Sequence, residues 1–369
     1  MNKLPRRIYL SQFVVILLTL VLLAGCQMAV SPNTPIIPNC PPYKELYFVD
    51  AHSQVAKFFD IQIPTHEEMT VNEIEDFILQ KMRTANVKRS ILAPRAGQSH
   101  ETIVNISNSH RGSGRIYPAI AVKGNYYLRF QQRIGSGNFH AIGEVLLYHA
   151  EKEGIGAKEF VLYPSDPVVQ RIYKVAKQKG WPLVIHIEDA AMPKNVRRRM
   201  NYEMCRVGIN YASSPYIIGG RSCEQLYQQE LDMTDHPVVF IHMAQLPPER
   251  VKRLISQHSN LYFMTSHSNP TSYLRPQPWI NMFDNDQLTE DWAELITMHP
   301  KRFIFALDNV IQEHWIDDYV PLVELWQNAL MILPEHVAHA VAHGNAERLW
   351  RLPPLCDHGL PEDTDATSR

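Results

Sequence analysis

Short apolar runs alternate with amphipathic stretches along most of this chain. Continuous β-branched or aromatic runs fall at 46–52, 88–93 (KRSILA), 115–122 (RIYPAIAV), 139–145 (FHAIGEV), 182–188 (PLVIHIE), 237–242 (PVVFIH), 260–265 (NLYFMT) and 302–308 (RFIFALD). Runs of this length suit parallel strands buried on both faces. Helical stripes lie between them. The stretch 72–85 puts Ile74, Phe77, Ile78 and Met82 on one face; others run over 168–179, 248–258 (Val251, Leu254, Ile255), 288–299 and 315–333. Eight strands alternating with helices predict an α/β fold, a (β/α)8 TIM barrel spanning 46–352 as one unit. An open doubly wound sheet is the alternative, but no GxGxxG follows the first strand. The glycines of RIGSGNFH and IIGGRS lack the strand–turn–helix setting that holds phosphate, and read as loops.

The two ends of the chain depart from this alternation. Lys3, Arg6 and Arg7 precede an apolar stretch, Ile8 to Ala24, and then Gly25 and Cys26. A positive start, a short apolar core and small residues describe a secretory signal. Ending in LLAGC, it resembles a bacterial lipoprotein signal, which implies cleavage before Cys26 and a lipid on that cysteine. The other reading is an uncleaved anchor, since the apolar stretch is near the lower limit for a spanning helix. Gln27 follows rather than aspartate, which by analogy with Gram-negative lipoproteins implies the outer membrane, facing the periplasm. Residues 1–25 are thus expected to be a signal peptide and 26–45, rich in proline, an extended tether. Residues 353–369 form a tail.

Composition narrows the class. A formal net charge of −2 with 20% charged residues gives no reason to expect a nucleic-acid partner. Apart from Cys26, four cysteines remain, which in an exported chain permits two disulfides in three connectivities. Cys205 and Cys223 share one long loop, and Cys40 and Cys356 flank the barrel, so the expected pairs are Cys205–Cys223 and Cys40–Cys356.

In a barrel, catalytic groups project from the C-terminal ends of the strands. The first strand delivers Asp50, His52 and Gln54, the fourth Glu144, the fifth His186, the sixth His242, the seventh Ser266 and His267, and the eighth Asp308. One such histidine proves little. Three of them with an aspartate supply the imidazole and carboxylate donors that zinc, manganese or iron prefer.

FVDAH, AIGEVLLY, PLVIH, VVFIHMA, FIFALDN and HGNAERLW, in this order over 46–352, resemble the amidohydrolase superfamily. The closest likeness is its amidohydrolase-related group of hydrolases, lactonases and metal-dependent decarboxylases. The resemblance implies a divalent metal, with His52, His186 and Asp308 as ligand candidates. By the same resemblance Glu144 contributes a carboxylate, and His242 binds a second metal or polarises substrate or solvent. Asp308 and His242 are the expected catalytic pair. The departure is Gln54, standing where the family has a second first-strand histidine; a neutral amide oxygen is a weak ligand beside imidazole. Residues two apart on a strand share a face, so Gln54 is expected to point inward with His52.

Three readings stay open at this point: a metal-assisted hydrolase of amide, lactone or ester bonds in a small molecule, a metal-free hydrolase or lactonase, and a tethered binding protein whose chemistry is lost. Fold alone does not separate them. Gln54, His267 and Arg275 are expected to meet substrate, with Tyr273 and Trp279 beside them. The long loop after strand five carries Lys194, Arg197, Arg198 and Arg199, which could meet a carboxylate or simply water. His149, His299, His314, His336, His339 and His343 are assigned to helices or loops, and HGNAERLW to the closure of the barrel's bottom. The substrate and the oligomeric state are not legible.

Overall fold

The computed structural model describes residues 44–59, 67–95, 98–122, 126–152, 158–227, 235–268, 280–353 and 355. The proposed signal and most of the tether, with Cys26, Cys40, Cys356 and Arg275, lie outside them, as do Tyr273, Trp279 and all of the tail except Pro353 and Leu355. No helix among the described residues is long and apolar enough to cross a membrane.

Strands β1 (Phe48–Val55), β2 (Val87–Pro94) and β3 (Ile116–Ile120) pair in parallel in chain order. Strand β4 comes in two pieces, Ala141–Ile142 against β3 and Val145–His149 against β5 (Leu183–Ile187). The break at Gly143–Glu144 lets one strand belong to both halves of the wall. β6 (Val238–Phe240), β7 (Leu261–Met264) and β8 (Phe303–Ile304) continue the parallel order. The ring closes by backbone bonds from Ala51 N–H to the Phe305 carbonyl (3.1 Å) and from Asp308 N–H to the His52 carbonyl (2.7 Å). The predicted (β/α)8 barrel is therefore the observed fold.

Side chains divide into two apolar layers, as strand alternation requires. Phe48, Leu92, Ile120, Ile185, Phe240, Phe263 and Phe305 face the helices. Val49, Ala51, Ala93, Ala119, Val184, Val239, Ile241, Met264 and Ala306 form the other cluster. Leu349 and Trp350 of HGNAERLW join that second cluster, so this segment does close one end of the barrel.

The surrounding helices form where their sequences supply ends as well as stripes. Helix α1 (Val71–Thr84) starts at a capping box in which Thr70 and Glu73 satisfy each other's backbone N–H groups. Helix α2 is His100–Asn108. Helix α3 (Pro167–Lys179) has Asp166 as its N-cap, Pro167 in its first turn and Gly180 at φ 65° to end it. Helix α4 (Lys194–Glu203) occupies the long loop after β5, and the disulfide Cys205–Cys223 (Cα–Cα 5.1 Å) pins that loop as expected.

Several expected boundaries move. The strand expected over 139–145 runs on to His149, and that over 302–308 is regular only at Phe303–Ile304, although its line of hydrogen bonds to β1 continues to Asn309. The helix expected over 315–333 opens with a π-helical turn, His314–Asp318, before Tyr319–Met331.

Candidate active site

One backbone irregularity decides what β1 offers. Val49 and Ala51 pack inside, so simple alternation would send His52 and Gln54 outward. The register of β1 on β2 shifts between Asp50 and Ser53. Such a bulge re-aims side chains, and here both His52 and Gln54 reach the carboxylates at the barrel mouth. Asp50 does not join them. Its carboxylate accepts from Ser53 Oγ, from Leu307 N–H (3.1 Å) and from His52 N–H (3.3 Å), tying β1 to the eighth strand. Burial pushes its carboxyl up to about 7, against the lowering effect of those bonds.

The centre is built on Asp308. His52 Nε2 lies 3.2 Å from its Oδ1, His267 Nε2 3.1 Å and His242 Nε2 3.4 Å from its Oδ2, and Gln54 Nε2 donates to Oδ1 at 2.8 Å. Burial alone would raise this carboxyl, but His52 and His267 more than offset it and hold it well below the usual carboxylate range. Glu144 forms the second pole. Its Oε2 is 2.8 Å from His186 Nδ1 and 3.9 Å from His52 Nε2. The residues Asp308, His242, His52, His186, Glu144, Gln54 and His267 thus come together, all buried.

His242, His267 and Asp308 share a backbone feature: φ values of 53°, 49° and 56°. His242 to Gln245 all lie in this left-handed region, one turn of the wrong hand immediately after β6. Each such non-glycine residue costs roughly 1–2 kcal/mol. Strain of this kind clusters at active sites and ligand clamps, and here it gathers at the mouth where the polar side chains converge.

Three residues beside this centre, Glu188, His149 and His314, were not legible as site residues. Glu188, the last residue of the fifth apolar run, sets Oε1 3.3 Å from His186 Nε2. It is fully buried, with Ala150 N–H on Oε2 (2.7 Å) and Lys152 Nζ on Oε1 (2.7 Å). Burial would raise its carboxyl, yet His186, Lys152 and His149 hold it far below the usual range. His186 sits between two carboxylates, and although burial disfavours its charge, Glu144 and Glu188 raise it to about 9. His149 belongs to the end of β4, its ring 5.6 Å from that of His186, which corrects its assignment to a helix or loop. His314, on the π-turn, is buried and its ring is 6.1 Å from that of His267.

The basic residues of the long loop divide. Arg197 bonds the Asp189 carbonyl and, with Arg250 (2.7 Å), its carboxylate. Arg199 pairs with Glu203 at 3.8 Å and lies over the Tyr163 ring. Lys194 and Arg198 line a separate cavity of about 230 Å³ with Asn201 and Tyr216.

The donor set fits a divalent ion. Glu144, His186 and His242 form one group whose ligand atoms all lie within 4.8 Å of each other; His242, His267 and Asp308 form a second, and His52, Glu144 and Asp308 a third. His242 Nδ1 is 2.9 Å from Ser266 Oγ and 3.3 Å from the Ser266 carbonyl. A carbonyl only accepts, so Nδ1 carries the proton and Nε2 keeps a lone pair facing the site. Burial, reinforced by His267 and His186, holds His242 neutral. A neutral imidazole with its outer nitrogen fixed is what a metal ligand requires.

An α/β barrel whose strand ends gather histidines and carboxylates around one aspartate defines a class, and comparison with known proteins places the chain within it. The chain belongs to the amidohydrolase family: the sequence profile described as Amidohydrolase matches residues 156–352. It is an amidohydrolase-family hydrolase, and members of this family usually bind a divalent metal. Among solved structures, an uncharacterized TIM-barrel protein from Bordetella bronchiseptica is 14% identical, covering 83% of this chain and 99% of its own, with a TM-score of 0.50. A 4-oxalomesaconate hydratase from Rhodopseudomonas palustris is 14% identical over 82% of this chain and 95% of its own, at 0.48. A probable 2-pyrone-4,6-dicarboxylic acid hydrolase from Acinetobacter baumannii is 12% identical over 82% and 99%, at 0.46. At such identity these likenesses speak to the fold alone. No curated protein matches the chain.

Proposed function

We propose that the protein hydrolyses an amide, lactone or ester bond in a small molecule with the help of one bound divalent ion, zinc by its nitrogen and oxygen donors. The observation that carries this reading is the overlap of the three ligand groups on His242, Glu144 and Asp308. When bound, such an ion lowers the pKa of water and polarises a carbonyl oxygen. The side chains supply the rest. Asp308, held anionic, accepts the proton of the attacking water, and His267 Nε2 at 3.1 Å from its Oδ2 holds the carboxylate in place. His242, kept neutral and fixed through Ser266, presents its Nε2 lone pair toward the same space, where it would hold the ion. Glu188, gripped by Lys152 and Ala150 N–H, holds His186 in place.

The reading extends to location. The charged n-region, apolar core and LAGC ending support a lipid on Cys26 and attachment to the cell envelope, in the outer membrane facing the periplasm. The Cys205–Cys223 disulfide is in keeping with an oxidising compartment. The test is hydrolysis of a panel of lactones, aryl esters and small amides by the full chain in detergent, before and after chelation. The expected result is turnover of at least one class that chelation abolishes and zinc restores. Turnover indifferent to chelation would establish a metal-free hydrolase instead. Tight binding of panel members without any turnover would establish a binding protein.

A further inference from the structure

Gln54 stands between the two carboxylates of the centre, and its orientation can be read from its partners. Its Nε2 faces Asp308 Oδ1 (2.8 Å) and Glu144 Oε1 (3.4 Å), while its Oε1 faces Arg95 Nη1 (3.0 Å). Turning the amide over would set an oxygen against two carboxylate oxygens and an NH2 group against a guanidinium that can only donate. Every contact would then be repulsive. Arg95, at the end of β2, therefore locks the amide with its two N–H donors aimed at the carboxylates.

The consequence falls on one of the three ligand groups. His52, Glu144 and Asp308 make up the group built on the first strand. Both of its carboxylates take a hydrogen bond from Gln54, on Asp308 Oδ1 and Glu144 Oε1, whereas each of the other two groups contains only one of them; the amide adds donors there and offers no lone pair. The other two groups share His242, whose Nε2 lone pair faces the site.

Resting on the metal-assisted reading above, we propose that Gln54, locked by Arg95, acts as a fixed donor clamp that closes the first-strand ion position. The chain then holds a single ion on the His242 side, with His52 serving as a partner of Asp308 rather than as a ligand. This differs from the expectation that His52 is a ligand and Gln54 a weak substitute for one.

Zinc stoichiometry and affinity, measured by calorimetry and elemental analysis on the chelator-stripped full chain in detergent, test the proposal without reference to activity. Wild type should bind one equivalent. His52→Asn should keep that equivalent with its dissociation constant changed less than about fivefold, whereas His242→Asn should weaken it by at least about 100-fold, since losing merely a partner behind a ligand already costs about 10–100-fold. Gln54→His, which removes the clamp and returns a lone pair, should gain a second equivalent. Thermal melts identify any variant that fails to fold, and His52→Gln and His242→Gln stand in for it. The proposal is overturned if wild type binds two equivalents, if the His52 variants lose zinc as severely as the His242 variants, or if Gln54→His stays at one. Wild type that binds no zinc at all overturns both the proposal and the metal-assisted reading, whereas the other three results overturn the clamp alone.

Discussion

Replacing Lys152 by methionine tests whether the buried pair behind His186 is what secures it. The Lys152 side chain is 10% exposed and that of Glu188 fully buried, with Nζ and Oε1 2.7 Å apart. Removing one member of such a pair leaves the other charge uncompensated, at a cost of roughly 3–5 kcal/mol. Glu188 retains the bond from Ala150 N–H and its contact with His186, so the lower end applies, about 3 kcal/mol. A domain of this size loses about 2 °C in Tm per kcal/mol, so the expected fall is about 6 °C. Urea unfolding followed by circular dichroism should show the same loss, and a cycle with Glu188→Gln isolates the coupling. The double variant should be more stable than the two single losses predict, with a coupling of about 1–3 kcal/mol. If Lys152→Met shifts Tm by less than 1 °C, or the two losses simply add, Glu188 is not held in the way described.

Other expectations follow from the same geometry. Asp308 adopts φ 56°, which asparagine tolerates about as well as aspartate, so Asp308→Asn should stay within a few degrees in Tm while losing at least about 100-fold in turnover; a large Tm loss with turnover intact would make Asp308 structural. His100 Nε2 accepts from Ala121 N–H (3.1 Å), and burial, with Arg133 adding to it, lowers its pKa to about 4. Unfolded chains therefore take up this proton below about pH 6.5 and the folded one only near 4, so stability drains between these values as pH falls; His100→Gln should lose less between pH 7 and 4.5, and an unchanged pH slope would contradict the assignment. Cys26→Ser should block processing and release the chain from membranes, and retention through salt and carbonate washes would refute the lipid anchor. Peptide mapping under non-reducing conditions should find Cys40 joined to Cys356; free thiols there would refute that pairing.

The barrel was legible because its strands are buried on both faces and read as unbroken apolar runs, from FVDAH to FIFALD. The polar residue ending each run then points to the mouth, which is how His52, Glu144, His186, His242 and Asp308 could be picked out. Glu188 escaped because it follows His186 by two residues, and its partner Lys152 lies past the break at Gly143–Glu144, where strand four appeared to stop. The inward aim of His52 and Gln54 was expected from their spacing, yet it depends on a register shift that no local pattern announces. His267 was assigned to substrate, and the structure adds it to the ligand groups because its left-handed backbone turns the ring onto Asp308. The direction of the Gln54 amide was beyond sequence reasoning altogether, since Arg95 decides it from the neighbouring strand.

The central claim is that this strand-end cluster is a working metal centre, and anomalous diffraction from crystals of the zinc-loaded protein tests it most directly. The account predicts one anomalous peak at the zinc edge, bonded to His242 and to at least one of Glu144, His186, His267 and Asp308. A map with no peak at the barrel mouth, or with zinc bonded only to residues elsewhere on the chain, would contradict it.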